Sequence, residues 1–264
     1  MPNFIKIHAP AKINLCLDVI KKTSSGYHEI QTIFQEIPEI YDEITIKTAK
    51  KSDNLSTSFG PKISKQKPPV QKNKNITFLA IQLLKKTCPK KLSGKFVSIA
   101  IKKNIPISSG LGGASSDAAA VLKGLNKLWN LKIPTKKLQT LAAKLGMDVP
   151  FFIMGGTALG THFGEKITLL PPLKDIKFKI FPESTDKSSK TQSAYASLDL
   201  SLCNKNSNKT KLLIKILKKN NVTKKALRKA ILATIHNDFE TLTTRKNLPK
   251  HHHLSGSGPG TFTV

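Results

Sequence analysis

Along the first half of the chain, runs that alternate apolar and polar residues are followed by runs with helical spacing. From Ile5 to Val19 two apolar stretches flank Ala9-Pro10-Ala11-Lys12, which predicts a strand, a short break and a second strand. Lys22 to His28 (KTSSGYH) reads as a turn punctuated by Gly26. Glu29 to Glu36 and Asp42 to Thr48 alternate as two further strands, and Ala49 to Lys74, rich in Lys, Ser, Pro and Asn, predicts a surface loop. Helical periodicity runs from Asn75 to Thr87, and Val97 to Lys102 is a strand. From Ser115 to Trp129, residues Ala118, Ala119, Val121, Leu122, Leu125 and Leu128 fall on one side of a helix. Pro134 to Leu145 forms the next helix, stopped by Gly146.

A glycine-rich stretch, GGTALGTHFG, follows Phe151-Phe152-Ile153-Met154 and marks a boundary, giving domains of residues 1–158 and 159–264. The second part predicts a strand at Lys177 to Phe181 and a polar loop. Lysine-rich helices at Lys209 to Lys219 and Thr223 to His236 follow, then a final glycine loop, LSGSGPGTFTV. No internal repeat is present.

Composition narrows the classes. The 264 residues are 39% hydrophobic, enough for an ordinary core, and no apolar run reaches the roughly 20 residues of a membrane helix. The first residues carry no secretory pattern, so a soluble cytoplasmic protein is expected. Cys16, Cys88 and Cys203 are far apart and form no zinc or CxxC spacing, which fits a reducing compartment. His251-His252-His253 cannot all face one ion from a regular element, so no metal site is assigned. The net charge of +28 invites a nucleic-acid reading. Yet Arg228 and Arg245 are the only arginines; 42 of the 44 basic residues are lysines, spread along the chain. Nucleic-acid interfaces favour arginine, so no nucleic-acid partner is expected, although the charge can steer an anionic substrate.

The densest chemical signal is Pro106-Ile107-Ser108-Ser109-Gly110-Leu111-Gly112-Gly113-Ala114-Ser115-Ser116, followed at once by Asp117 and the helix. Glycine lets backbone approach a phosphate closely, and a helix N-terminus offers unpaired N–H groups. Ser115 and Ser116 add hydroxyls. The pattern is neither GxxxxGK[ST] nor GxGxxG. Locally, a triphosphate site and a serine–aspartate N-cap both account for it.

This segment strongly resembles the phosphate loop of the GHMP kinase superfamily, which includes galactokinase, homoserine, mevalonate and phosphomevalonate kinases. Three further segments are similar to the branch whose substrate is 4-diphosphocytidyl-2-C-methyl-D-erythritol. They are Ala9-Pro10-Ala11-Lys12-Ile13-Asn14-Leu15, Gly26-Tyr27-His28-Glu29 and Gly146-Met147-Asp148-Val149-Pro150-Phe151-Phe152, in matching order across about residues 5 to 200. The resemblance implies a two-domain α+β GHMP kinase fold. Its N-terminal domain would be ribosomal-protein-like and bind ATP; its C-terminal domain would be ferredoxin-like and shortened. It implies transfer of the ATP γ-phosphoryl to the substrate's 2-hydroxyl, with Mg²⁺ accompanying ATP, in the non-mevalonate route to isoprenoid precursors. Asp148 matches the catalytic base and Lys12 its partner. Tyr27 and His28 match a cytosine-recognition pair; Thr191 and Tyr195, in TQSAY, lie where the family has an aromatic for the other face of the base. Asn14 matches a substrate contact, and Asn75 lies near the family's adenine site, where it equally suits an N-cap. Ser255-Gly256-Ser257-Gly258-Pro259 resembles the superfamily's closing glycine loop, and a flexible tail equally accounts for its composition.

Two departures stand beside the match. Only Thr241 to Leu254 separate Asn237-Asp238-Phe239-Glu240 from the last glycine loop, and the sequence stops at Val264, so the second domain is expected to be reduced. Three other readings stay open at this point: another GHMP kinase, a weakly active or degenerate copy, and a basic RNA-binding protein. A monomer or weak homodimer is expected.

Overall fold

Pro10 does not break its strand. In the computed structural model, β1 runs from Phe4 to Lys22 without interruption. The residue before a proline is itself driven to extended backbone, and the Lys12 N–H finds its acceptor in Leu111 O at 2.9 Å. Extended structure thus continues while the hydrogen-bond partner becomes a loop. β2 (His28–Ala49) likewise merges the two strands expected at Glu29 to Glu36 and Asp42 to Thr48. The turn between β1 and β2 is as expected: Gly26 has φ +85° and its N–H reaches Thr23 O at 3.0 Å. The structure describes residues 4–63, 74–173, 175–183, 190–219, 221–242 and 248–264.

Two compact units share the chain. The first comprises residues 1–11, 38–107 and 112–154. Beside its parts of β1 and β2 it holds β3 (Asn54–Phe59), α1 (Ile76–Thr87), α2 (Pro89–Leu92), β4 (Phe96–Lys103), α3 (Gly113–Leu128), α4 (Thr135–Ala143) and α5 (Val149–Met154). β4 pairs antiparallel with β2, setting Ile46 opposite Ile99, and parallel with β3, setting Leu55 opposite Ile99. β3 corrects part of the loop expected from Ala49 to Lys74. Its Ser and Thr side chains gave no apolar run, and β4 supplies the register; residues 64–73 lie outside the described residues. α3 packs on α1 and α5. Its cap is Gly112, left-handed at φ +75°, and no side chain caps it, so the serine–aspartate N-cap reading is overturned.

The second unit comprises residues 12–37, 108–111 and 155–264. It adds β5 (Thr157–Thr161), β6 (Lys166–Leu169), β7 (Lys179–Phe181), α6 (Lys190–Ala196), α7 (Ser207–Leu217), α8 (Lys224–Thr234), β8 (His236–Asn237), β9 (His253–Leu254) and β10 (Thr261–Thr263). β5 pairs with Thr32–Gln35 of β2 and with β6; β8 lies parallel to Cys16–Leu17 of β1; β7, β10 and β9 form a separate antiparallel sheet. α6 replaces part of the expected polar loop. Leu17, Val19, Ile30, Ala194, Cys203, Phe239 and Leu254 form a core cluster here. Among the described residues no helix is long and apolar enough to cross a membrane.

A buried ion pair ties β1 to β8. His236 Nε2 lies 2.8 Å from Asp18 Oδ1 and its Nδ1 2.8 Å from Thr234 O, so both nitrogens face acceptors and the ring is an imidazolium. Burial works against that charge, but the Asp18 carboxylate, with Cys16 and the Thr234 carbonyl beside it, outweighs it and raises the His236 pKa to about 10. A raised folded pKa stabilises fully below the unfolded value of about 6.5, and the contribution is lost as pH rises through about 10. The unfolding midpoint should therefore fall from pH 6.5 to 10 more steeply in wild type than in His236→Gln. Equal slopes in calorimetry would refute the pairing.

Candidate active site

The glycine loop turns by alternation. Ser108, Gly110 and Gly112 have φ of +56°, +82° and +75°. Alternating ordinary and left-handed residues direct successive N–H groups into a concavity suited to an anion. Leu111 N–H donates to Ser109 Oγ at 3.3 Å. Pro106, Ser109, Leu111 and Ser116 are buried, Ile107, Ser108, Gly110, Gly112, Gly113 and Ser115 half-buried, and Ala114 exposed. In the first two turns of α3, Ser116 Oγ and Asp117 Oδ1 are buried with no hydrogen-bond partner among the described residues. Burial pushes Asp117 up to about 7, against the pull of Lys103; nearby Asp42 adds to the rise.

In the second unit, three segments distant in sequence meet. Strand alternation puts Lys12, Asn14, Cys16 and Asp18 on one side of β1. Lys12 is 3% exposed; its Nζ donates to Asn14 Oδ1 at 2.6 Å and lies 5.6 Å from the Phe34 ring centre. Asn14 Nδ2 donates to Thr32 Oγ1 at 2.7 Å, and Thr32 Oγ1 to Cys16 O at 2.7 Å. Asn14, expected as a substrate contact, thus also anchors Lys12. The C-terminal glycine loop is no flexible tail. Ser255 is fully buried, and its Oγ donates to Gly110 O at 3.0 Å and to Lys12 O at 3.3 Å. Gly260 N–H donates to Ser109 O at 2.9 Å. A Cβ on Gly256 would sit 3.1 Å from Lys12 Nζ and 3.3 Å from Gly110 O. Asn237, on β8, holds this loop by donating to Leu254 O at 3.0 Å and Gly256 O at 2.9 Å.

The aromatic residues gather in the same unit. His28 stacks on Tyr195, with ring centres 4.8 Å apart and planes at 21°. Tyr195 meets Phe239 edge-on, and the exposed Tyr27 leans on Phe163 at 5.2 Å. Burial lowers the His28 pKa, with Lys22 adding to the effect, so its ring is neutral at pH 7 and offers one donor and one acceptor. Thr191, one helical turn from Tyr195 on α6, accepts from Ser257 Oγ at 3.2 Å. Phe163 and Phe239 stand in two stretches that the sequence singles out for other reasons, GGTALGTHFG and Asn237-Asp238-Phe239-Glu240, and neither stretch marks its aromatic as part of this group.

Asp148 belongs to the first unit. It is half-buried, in the turn that immediately precedes α5. Pro150 is tolerated in the first turn of α5, where N–H groups have no partner in any case. Asn75 caps α1 by accepting from Thr77 N–H at 2.9 Å.

Residues 75–156 match the model of the GHMP kinases N-terminal domain. A 4-diphosphocytidyl-2-C-methyl-D-erythritol kinase of Caldicellulosiruptor saccharolyticus is 37% identical over 265 residues, covering 98% of this chain and 87% of that protein. The namesake from Clostridium botulinum is 38% identical over 271 residues, covering 98% and 90%. The chain belongs to this kinase family. Solved structures agree on the fold of these kinases. A 4-(cytidine 5'-diphospho)-2C-methyl-D-erythritol kinase superposes with a TM-score of 0.67 at 24% identity, over 98% of this chain and 90% of that one. A homoserine kinase from Cytophaga hutchinsonii reaches 0.71 at 18% identity, over 99% and 85%. The two-domain α+β GHMP kinase fold is therefore the fold of this chain.

Proposed function

We propose that the protein transfers the γ-phosphoryl group of ATP to the 2-hydroxyl of 4-diphosphocytidyl-2-C-methyl-D-erythritol, in the non-mevalonate route to isoprenoid precursors. The observation that carries the reading is the meeting of Lys12 Nζ, the Gly110 backbone and Gly256 within one unit. A buried cation beside two glycine backbones is what a transferring phosphoryl group requires: a fixed charge, with no Cβ in the way.

The bond from the γ-phosphorus to its bridging oxygen breaks, and a bond from that phosphorus to the 2-oxygen forms. Asp148 accepts the hydroxyl proton, and Lys12, oriented by Asn14, offsets the charge that develops. Backbone N–H groups in the stretch from Ile107 to Ser115 hold the phosphates. Ser116 Oγ, which has no hydrogen-bond partner among the described residues, suits a ligand for the Mg²⁺ that accompanies ATP. When bound, that ion offsets phosphate charge. Tyr27 and Tyr195 offer faces to cytosine, neutral His28 a donor and an acceptor for its edge, and Thr191 holds the substrate side of the closing loop. The reaction belongs in the cytoplasm and needs no nucleic-acid partner; a monomer or weak homodimer suffices.

The test is ADP release from purified protein given magnesium-ATP and one acceptor at a time. Turnover with the cytidylyl compound is expected, and background rates with mevalonate and homoserine. Well-folded protein that releases no ADP above background with the cytidylyl compound would sink the reading. Tyr195→Ala should raise KM for that compound about tenfold, in line with stacking worth ~1–3 kcal/mol per base, and leave KM for ATP unchanged.

A further inference from the structure

Three charged side chains of the first unit are buried together where β4 ends and α3 begins. Lys103, Asp42 and Asp117 are 7%, 0% and 3% exposed. Lys103 Nζ donates to Asp42 Oδ2 and, at 2.7 Å, to Asp117 Oδ2. The second Asp42 oxygen accepts from Asn104 N–H at 2.5 Å and Ile105 N–H at 2.8 Å. One carboxylate therefore grips the chain just before Pro106, the other sits in the opening turns of α3, and the ammonium joins them. A Cβ on Gly113 would come within 3.2 Å of Lys103 Nζ, so the ammonium also packs against the first residue of that helix.

Stability does not account for this cluster. Burying charges carries a desolvation cost, and replacing a buried ion cluster by apolar side chains is often neutral or stabilising. What the cluster supplies is fixed geometry. α3 has no side-chain cap, and Gly112 before it is left-handed. The direction of the loop's N–H groups then depends on what holds the chain at either end, and Lys103 holds both.

Building on the kinase reading above, we propose that Lys103, clamped between Asp42 and Asp117, is a positioning residue that sets nucleotide affinity by fixing both ends of the phosphate loop. It touches neither substrate; it acts through the loop backbone.

The experiment is calorimetric titration of the full chain with a non-hydrolysable ATP analogue and magnesium, and separately with the cytidylyl alcohol. Wild type, Lys103→Met and Asp42→Asn are compared, each with its circular dichroism and unfolding midpoint. In both variants the nucleotide Kd should rise about tenfold, ~1.4 kcal/mol, while the Kd for the cytidylyl alcohol stays within about twofold. A folded Lys103→Met with wild-type nucleotide affinity overturns the clamp, as does equal weakening of both ligands. Should Lys103→Met fail to fold, Asp42→Asn carries the same two outcomes. Its amide keeps an oxygen for the Asn104 and Ile105 N–H groups but turns an N–H toward Lys103. Wild type that binds nucleotide but not the cytidylyl alcohol overturns the substrate assignment. The clamp then stands or falls on nucleotide Kd in variants with a wild-type circular dichroism spectrum.

Discussion

Lys12→Met should lower kcat by about 10³-fold while the protein stays folded. Methionine fills the buried volume of the lysine stem with a flexible apolar chain, so packing along β1 is kept. The ammonium is lost, and with it the 2.6 Å bond to Asn14 Oδ1 and the positive charge facing Phe34. Asn14 retains its bond to Thr32 at 2.7 Å, so the hydrogen-bond chain behind the site survives. The loss should fall on kcat at saturating concentrations of both substrates, because the charge acts where negative charge develops. A kcat within tenfold of wild type would remove Lys12 from the chemistry. Asp148→Asn is its companion, similar in size but unable to accept the proton. If the two groups serve one step, the double variant is about as slow as either single variant. Losses that multiply would show that they act separately.

What the sequence allowed one to read follows the range of the interactions. The α3 helix and its glycine loop are local, and a contiguous motif shows them both. The Gly112 cap is equally local, yet a left-handed glycine before the helix leaves no mark that distinguishes it from a serine–aspartate cap. β1 was half legible. Its apolar residues predicted strand, but Pro10 looked like a break because the acceptor for Lys12 N–H, Leu111 O, is 99 positions away. β3 was illegible: its alternation sets Asn54, Ser56 and Ser58 against Leu55, Thr57 and Phe59, and only pairing with β4 gives it a register. The Ser255–Gly260 loop is the extreme case. As composition it resembles a tail, and its order comes from Ser109 and Gly110, with a sequence separation of 145 between Ser255 and Gly110. Lys103 was an ordinary lysine until burial and partners were known, since nothing in one sequence separates a buried lysine from the many solvated ones; Lys12 stood out only through the Ala9–Leu15 segment that resembles the kinase family.

Gly258→Ala should lower kcat by at least ~10²-fold and destabilise the protein by about 1–3 kcal/mol. The added methyl would overlap the Gly110 nitrogen and the Ser109 carbonyl carbon. Those are backbone atoms, which cannot swing aside as the end of a side chain can. Gly258 is not among the residues with positive φ, so alanine meets no backbone strain there and the substitution tests space alone. One loop has to move. If Ser255–Gly260 retreats, Ser255 Oγ loses Gly110 O, Gly260 N–H loses Ser109 O, and Gly256 leaves Lys12 Nζ. If Ser109–Gly110 retreats instead, the turn of the phosphate loop is spoiled. Both movements misplace the phosphoryl group relative to Lys12, so the loss should appear in kcat and in KM for ATP together. A variant with wild-type kcat and an unchanged unfolding midpoint would mean that the two glycine loops need not touch during turnover, and would remove the contact that carries the functional reading.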